Sequence, residues 1–348
     1  MLDLTRLKVF REVAIHGSFT KAAEAMGYTQ PSISHQVAQL ERELSAQLFE
    51  RQARRVTLTP AGEVFLRHVQ AVLVQLADAE REVAETAGTG GRLLRLASFP
   101  TAAATLIPLA VADFRAGHPR SELRLTEADP PASVPALLAG EHDLAVIYDY
   151  PVLGAAVDPA LELEPLCVDH MVVALPPDHS AASSGQVTLA DLAAAQWIAP
   201  HSSVCRDAFE FACRNAGFAP AIVSETNDYQ AMQGLVAADV GVALLPRLAV
   251  AVSQRPDVIL RPLDSTLIER VTFIATRSGA YRSPLVSAFR AALRMAASTV
   301  AAPGLPLEMF EPEHVTAQPA GRPEDVTSLP HPPSGRSHKA ESVPVTAS

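Results

Sequence analysis

Gln30, Pro31, Ser32, Ser34 and His35 stand together at the start of "TQPSISHQVAQLEREL", and none of them is a residue that fills a core. Gln can pair bidentately with an adenine edge, and Ser and His offer hydrogen bonds to bases or phosphates. At 100° per residue from Ile33, the side chains of Val37, Leu40 and Leu44 form one apolar stripe. Pro31 and His35 point the opposite way, with Ser34 on the flank. Pro31 suits a first helical turn, where its missing N–H would be unpaired anyway, and the free N–H groups nearby suit a phosphate. The chemistry on offer is DNA readout; the alternative is a polar helix that is merely solvated. Downstream, "LFERQARRVTLTPAG" places Arg51, Arg54 and Arg55 on a turn between short β-prone runs. Such a tip can hold backbone phosphates, although a solvated charge cluster would look the same.

A second set of polar residues opens helical stretches after apolar runs. Ser98, Phe99 and Thr101 lie in "ASFPTAA", His201, Ser202 and Ser203 in "APHSSVCRDAF", and Thr226 and Asn227 in "SETNDYQ". Strand ends in parallel sheets turn their loops toward a common crevice, and helix starts there supply N–H groups suited to anions. A small polar or carboxylate ligand is the expected guest, while plain helix capping explains each Ser and Thr equally well. The three cysteines, Cys167, Cys205 and Cys213, form no CxxC pair, so neither a disulfide framework nor a zinc cage is suggested. No metal or other cofactor is expected.

The elements that must carry these groups are legible. Ser18 can cap a helix from Phe19 to Met26, Gly27 suits its left-handed end, and Thr29 can cap the next helix. Helix, short glycine turn, helix is a pattern used to read DNA. Thr59 and Pro60 then start a long helix to about Ala87. In it Phe65, Val69, Val72, Leu76, Ala79, Val83 and Thr86 are spaced as a heptad seam, predicting that two copies zip together unless the stripe packs on its own domain. "GTGG" at 88–91 predicts a hinge. From 92 to 299 short apolar runs alternate with amphipathic stretches, which predicts two small α/β lobes with mostly parallel sheets. The lobes are expected at about 92–163 with 268–297, and at 164–267. The last 49 residues hold nine of the 28 prolines, so 300–348 is expected to be a disordered tail.

The whole chain of 348 residues carries a net charge of −10, which taken alone argues against nucleic acid. Residues 1–70, however, hold nine Lys or Arg against seven Asp or Glu, so the acidity belongs elsewhere. No run approaches the roughly 18 apolar residues of a membrane span, and the first residues lack a signal-peptide order, so a cytoplasmic protein without membrane contact is expected.

The run from "LDLTRLKVF" to "LTPAG", with its "GSFTKAAE", "TQPSIS", "QVAQLE" and "LFER", resembles the LysR-type transcriptional regulators. The resemblance continues through "LIPLAVADFRAGHP", "LLAGEHDLAVIY" and "LVAADVGVALLP", covering about residues 2–297. It implies a winged helix-turn-helix at 1–58, a dimerising linker helix at 59–87, and a two-lobed α/β effector domain like the type 2 periplasmic binding proteins. It also implies a homodimer or homotetramer on double-stranded promoter DNA, with a small-molecule effector in the cleft; RNA polymerase is a further expected partner. Carried onto matching positions, Gln30, Pro31, Ser34 and His35 are implied to enter the groove, and Arg51, Arg54 and Arg55 to form wing contacts. Many relatives have arginine where His35 stands. "CRDAFEFAC" looks loosely like the peroxide-sensing branch of this family, so thiol redox sensing through Cys205 and Cys213 is an alternative signal. On a continuous helix those two lie about 12 Å apart, and buried inert thiols explain them as well. A solute-binding protein without a regulatory role would leave the first 87 residues unexplained. An enzyme would need a nucleophile elbow or phosphate loop that the sequence lacks.

Overall fold

The computed structural model describes residues 2–52, 55–87, 93–154, 158–201, 203–264, 268–280, 283–300 and 307–309. The chain begins with α1 (Leu4–His16), whose first turn is capped by the Asp3 carboxylate accepting from the Thr5 and Arg6 N–H groups. Ser18 then caps α2 (Phe19–Met26), and Gly27 closes it at φ 68°. α3 (Gln30–Leu44) starts after Thr29, but that residue's hydroxyl makes no capping bond. The expected partners are gone: Pro31 has no N–H, and the Ser32 N–H already donates to the Thr29 carbonyl. Ile33, Val37 and Leu40 are fully buried against Phe10, Val13 and Ala22, with Leu44 packed at the margin. β1 (Phe49–Gln52) and β2 (Arg55–Leu58) pair antiparallel as a hairpin.

α4 (Pro60–Thr86) is started by Thr59, whose hydroxyl accepts from the Gly62 N–H at 3.0 Å and donates to the Gln47 carbonyl. At Gly62 the helix touches the preceding loop so closely that an added Cβ would lie 2.1 Å from the Leu48 carbonyl oxygen. Three faces of α4 differ in partner. Phe65, Val69 and Leu73 pack into the amino-terminal core, whereas Val74, Asp78 and Arg81 turn to the α/β region. Val72, Leu76, Ala79 and Val83 remain exposed. The heptad reading is corrected here: Phe65 and Val69 pack in their own domain, Phe65 with its ring tilted against Phe10 at 5.1 Å and Val69 buried in the same core, so the exposed stripe starts at Val72. Residues 88–91 lie outside the described residues.

In the α/β region the chain runs β3 (Leu93–Ser98), α5 (Pro100–Ala104), α6 (Leu106–Gly117), β4 (Glu122–Glu127), α7 (Pro130–Leu138), β5 (Leu144–Asp149) and β6 (Leu161–Asp169). It continues through β7 (Met171–Leu175), β8 (Gln196–Ala199), α8 (Val204–Asn215), β9 (Ala221–Glu225), α9 (Tyr229–Ala237), β10 (Val242–Pro246), α10 (Arg247–Val252) and β11 (Ile259–Pro262). It ends with β12 (Arg270–Arg277), α11 (Pro284–Val300) and β13 (Leu307–Met309). Among the described residues these strands form a six-stranded sheet, β13-β6-β12-β5-β3-β4, and a five-stranded sheet, β11-β7-β10-β8-β9.

Both sheets are mixed, which corrects the expectation of mostly parallel pairing. β3, β4 and β5 run parallel, as do β8, β9 and β10, each joined by a helix. The chain leaves the first sheet along β6 and returns along β12; these strands pair antiparallel with each other, and β12 does so with β5 as well. A second correction concerns the tail: Leu307–Met309 pair with β6, supplying bonds to what would otherwise be a sheet edge. The remaining residues beyond Val300 lie outside the described residues.

Candidate effector cleft and DNA-facing surface

Arg270 opens β12 and Asp169 closes β6, and strand register sets the two directly opposite each other. Arg270 is 1% exposed and Asp169 fully buried, so each charge depends on the other. The guanidinium donates to the Asp169 carboxylate from Nε at 3.1 Å and also from Nη2. Nη2 donates as well to the Thr101 hydroxyl at 2.9 Å. Asp169 accepts a further bond from the Leu248 N–H at the start of α10. Burial works against the Arg270 charge, but the carboxylate more than offsets it, and the group titrates above its ordinary range. The guanidinium lies over the rings of Phe99 and Tyr148, 4.9 and 5.1 Å from their centroids.

Around this pair the carboxyl ends of parallel strands converge. Phe99 and Thr101 follow β3, Tyr148 lies next to the end of β5, Pro200 and Ser203 follow β8, and Asn227 follows β9. Together with Arg270, Asp129, Cys205 and Tyr229 they line an inner cavity of about 60 Å³. Thr101, Asn227 and Tyr229 also line a wider outer cleft of about 660 Å³. The Tyr148 hydroxyl donates to Asp129 at 3.3 Å and lies 3.3 Å from the Cys205 sulfur, while the Tyr150 hydroxyl is 3.6 Å from that sulfur. Burial, followed by the neighbouring Cys205, pushes both phenols well above their ordinary range, so they are neutral hydrogen-bond donors.

Not every residue expected in the crevice is there. Phe99, Thr101, Ser203 and Asn227 line the cavity, and Ser203 also caps α8 by accepting from the Arg206 N–H. Ser98 is a correction: it is fully buried at the end of β3, with its hydroxyl donating to the Phe99 carbonyl, and it lines neither the cavity nor the outer cleft. His201 is not part of the lining: its exposed ring lies 3.7 Å from Glu225, while its N–H donates to the Asn227 side chain at 2.9 Å. The Thr226 hydroxyl is turned back onto the Asp228 N–H. Ser202 lies outside the described residues. Sequence reasoning missed Arg270, Asp169, Tyr148 and Tyr229. A usable signal existed, since an Arg heading "RVTFIAT" and an Asp ending "LCVD" each flank an apolar run that would bury them.

On the amino-terminal surface, Gln30, Pro31 and His35 are exposed along one side of α3, with Ser32 and Ser34 half-buried beside them. Arg51 lies in β1 and Arg55 in β2, flanking the hairpin turn. Arg54 is outside the described residues.

The far end of β12 makes a second set of contacts. Arg277 donates from Nη2 to the Asp78 carboxylate on α4 at 3.1 and 3.2 Å, and from Nη1 to the carbonyls of Leu137 and His142. Arg81 bridges Asp78 at 2.7 Å and Asp143. Gly140, at φ 77°, lets Val74 approach so closely that a Cβ there would meet it at 2.9 Å.

Residues 4–63 match the family described as bacterial regulatory helix-turn-helix protein, lysR family, and residues 87–298 match the LysR substrate binding domain. The HTH-type transcriptional regulator AlsR of Bacillus subtilis is 31% identical over 296 residues, covering 83% of this chain and 94% of that protein. Full-length OxyR from Pseudomonas aeruginosa is similar in fold, with a TM-score of 0.65 at 23% identity over 90% of this chain and 99% of that one. CbnR complexed with its target DNA matches at a TM-score of 0.50 and 25% identity, over 85% and 100% of the two chains. A helix-turn-helix with a wing, a long helix and a two-lobed cleft define a DNA-binding transcriptional regulator with an effector-binding domain. The chain belongs to the LysR family of these regulators.

Proposed function

We propose that promoter binding by this LysR-type regulator is set by a small carboxylate metabolite seated beside Arg270. The observation that carries this reading is a donor left over in a buried place. Arg270 uses Nε and Nη2 on protein acceptors, and among the described residues Nη1 has none although the side chain lines the cavity. The first-turn N–H groups of α8, at Val204 and Cys205, add a second set of donors close by, and Ser203 and Asn227 add polar side chains. A carboxylate satisfies these donors at once. A thermal-shift screen of small carboxylates on the full chain tests this, since a ligand of the folded state alone raises its melting temperature. Amines that stabilise while carboxylates do not would sink it.

On DNA, Gln30, Pro31, Ser32, Ser34 and His35 are proposed to meet the major groove, with Arg51, Arg54 and Arg55 on flanking phosphates. The exposed stripe from Val72 to Val83 is proposed to join two copies, which suits a homodimer or a tetramer built from it. Affinity for the promoter is expected to fall by about 0.9 log units per log unit of salt for each phosphate contacted. A gel-shift series from low to high salt reads this slope, and a flat series contradicts the assignment. No catalytic role is proposed.

The alternative signal, a Cys205–Cys213 disulfide, has less support. The two residues lie on the unbroken α8, about 12 Å apart along its axis, whereas bridged cysteines have Cα atoms within about 7 Å. Burial also pushes the Cys213 thiol up to about 12.

A further inference from the structure

We infer that Cys205 is a covalent capture site within the cleft, for carboxylates that carry a carbon–carbon double bond conjugated to a carbonyl. This rests on the carboxylate reading of the cleft and adds a reaction to it. Cys205 is the second residue of α8, half-buried, and it lines both the inner cavity and a smaller pocket behind it with Tyr150 and Phe209. Its sulfur is 3.3 Å from the Tyr148 hydroxyl, and the ring of that tyrosine lies against Arg270. A nucleophile and an anion anchor therefore border one cavity, with the Tyr148 ring between them. The anchor is an independent observation, since Arg270 is 1% exposed, lines the cavity and among the described residues has acceptors for Nε and Nη2 but none for Nη1.

The other thiols set the contrast. Cys167 and Cys213 are fully buried, line neither pocket, and are pushed up to about 12 by burial. Only Cys205 combines access, polar neighbours and a helix start, the setting in which cysteines react.

The step is an addition. The sulfur attacks one alkene carbon, forming an S–C bond as the π pair moves to the neighbouring carbon. That carbon takes a proton from water, and the thiol proton is lost to water. S–H is thus added across the double bond, with no oxidant or reductant required. The Tyr150 hydroxyl donates to the sulfur at 3.6 Å.

Monomethyl fumarate, which has one carboxylate, and dimethyl fumarate, which has none, form the test pair on the full-length protein. Adduct formation is followed by intact mass and peptide mapping, with glutathione as reference thiol and Cys205→Ser as control. The half-ester to diester rate ratio at Cys205 is expected to exceed that of glutathione by about tenfold or more, reflecting local enrichment of the anion. The Cys205 adduct should vanish in the Ser variant. Monomethyl succinate, which has the carboxylate but no alkene, should slow the reaction and raise the melting temperature. Absence of a Cys205 adduct while monomethyl succinate still stabilises the protein overturns covalent capture and leaves the carboxylate reading standing. A ratio equal to that of glutathione overturns guided capture; if monomethyl succinate also fails to stabilise, the carboxylate reading falls with it.

Discussion

Arg270 and Asp169 form a buried ion pair at the cavity whose sequence signal, a charge flanking an apolar run, names neither residue's partner. Each borders an apolar run, and only the antiparallel register of β6 and β12 brings them face to face. Ser98 shows the converse, because its type fitted a cleft and yet it lies fully buried at the end of β3. His142 carries a testable consequence at this scale. It is 8% exposed, and burial favours its neutral form against weaker pulls from Glu141 and Asp143, so its folded value lies below the ordinary 6.5. Below pH 6.5 the unfolded chain then binds a proton that the folded chain does not, and stability falls as pH drops from 6.5 through the folded value. Denaturant midpoints between pH 8 and 5 should decline over that window, and less so in His142→Gln. An equal decline in the variant would assign the loss to other groups.

At the scale of elements, α2 and α4 were legible because their caps act locally, and α3 from its apolar stripe and first-turn proline although Thr29 makes no capping bond. Ser18, Gly27 and Thr59 each do what their types predict. Gly62 of "LTPAG" has a reason that only packing reveals. Gly62→Ala would drive a methyl into the Leu48 carbonyl and should cost about 1–3 kcal/mol, measured as a lower unfolding midpoint. An unchanged midpoint would mean that the loop moves freely. The heptad in α4 did not tell its partners apart, since a periodic stripe does not say whether it packs on another copy or on its own domain. Val72, Leu76, Ala79 and Val83 are exposed and Val69 is not. Leu76→Asp puts a charge in the exposed stripe and should weaken dimerisation by at least tenfold in sedimentation, because the desolvated charge has no partner. A dimer of unchanged strength places the interface elsewhere.

For the whole molecule, the division of labour was readable from charge and composition, since the first 70 residues carry a small positive balance inside a chain of net −10. The mixed sheets were not, because strand direction depends on where the chain crosses between lobes, which periodicity does not encode. One strand ties the parts together. β12 starts with Arg270 in the cleft and ends with Arg277 on Asp78 of α4, a span of about 23 Å at the usual strand rise. Extended backbone held by neighbours on both sides is stiff along its length, so β12 is expected to work as a pushrod, passing an axial displacement at the arginine in the cleft on to the linker helix. Asp78→Asn, which keeps the shape and removes the charge, should leave ligand-induced thermal stabilisation intact while blunting the response of DNA affinity to ligand; a full response in that variant would show that force reaches the DNA-binding helices by another route.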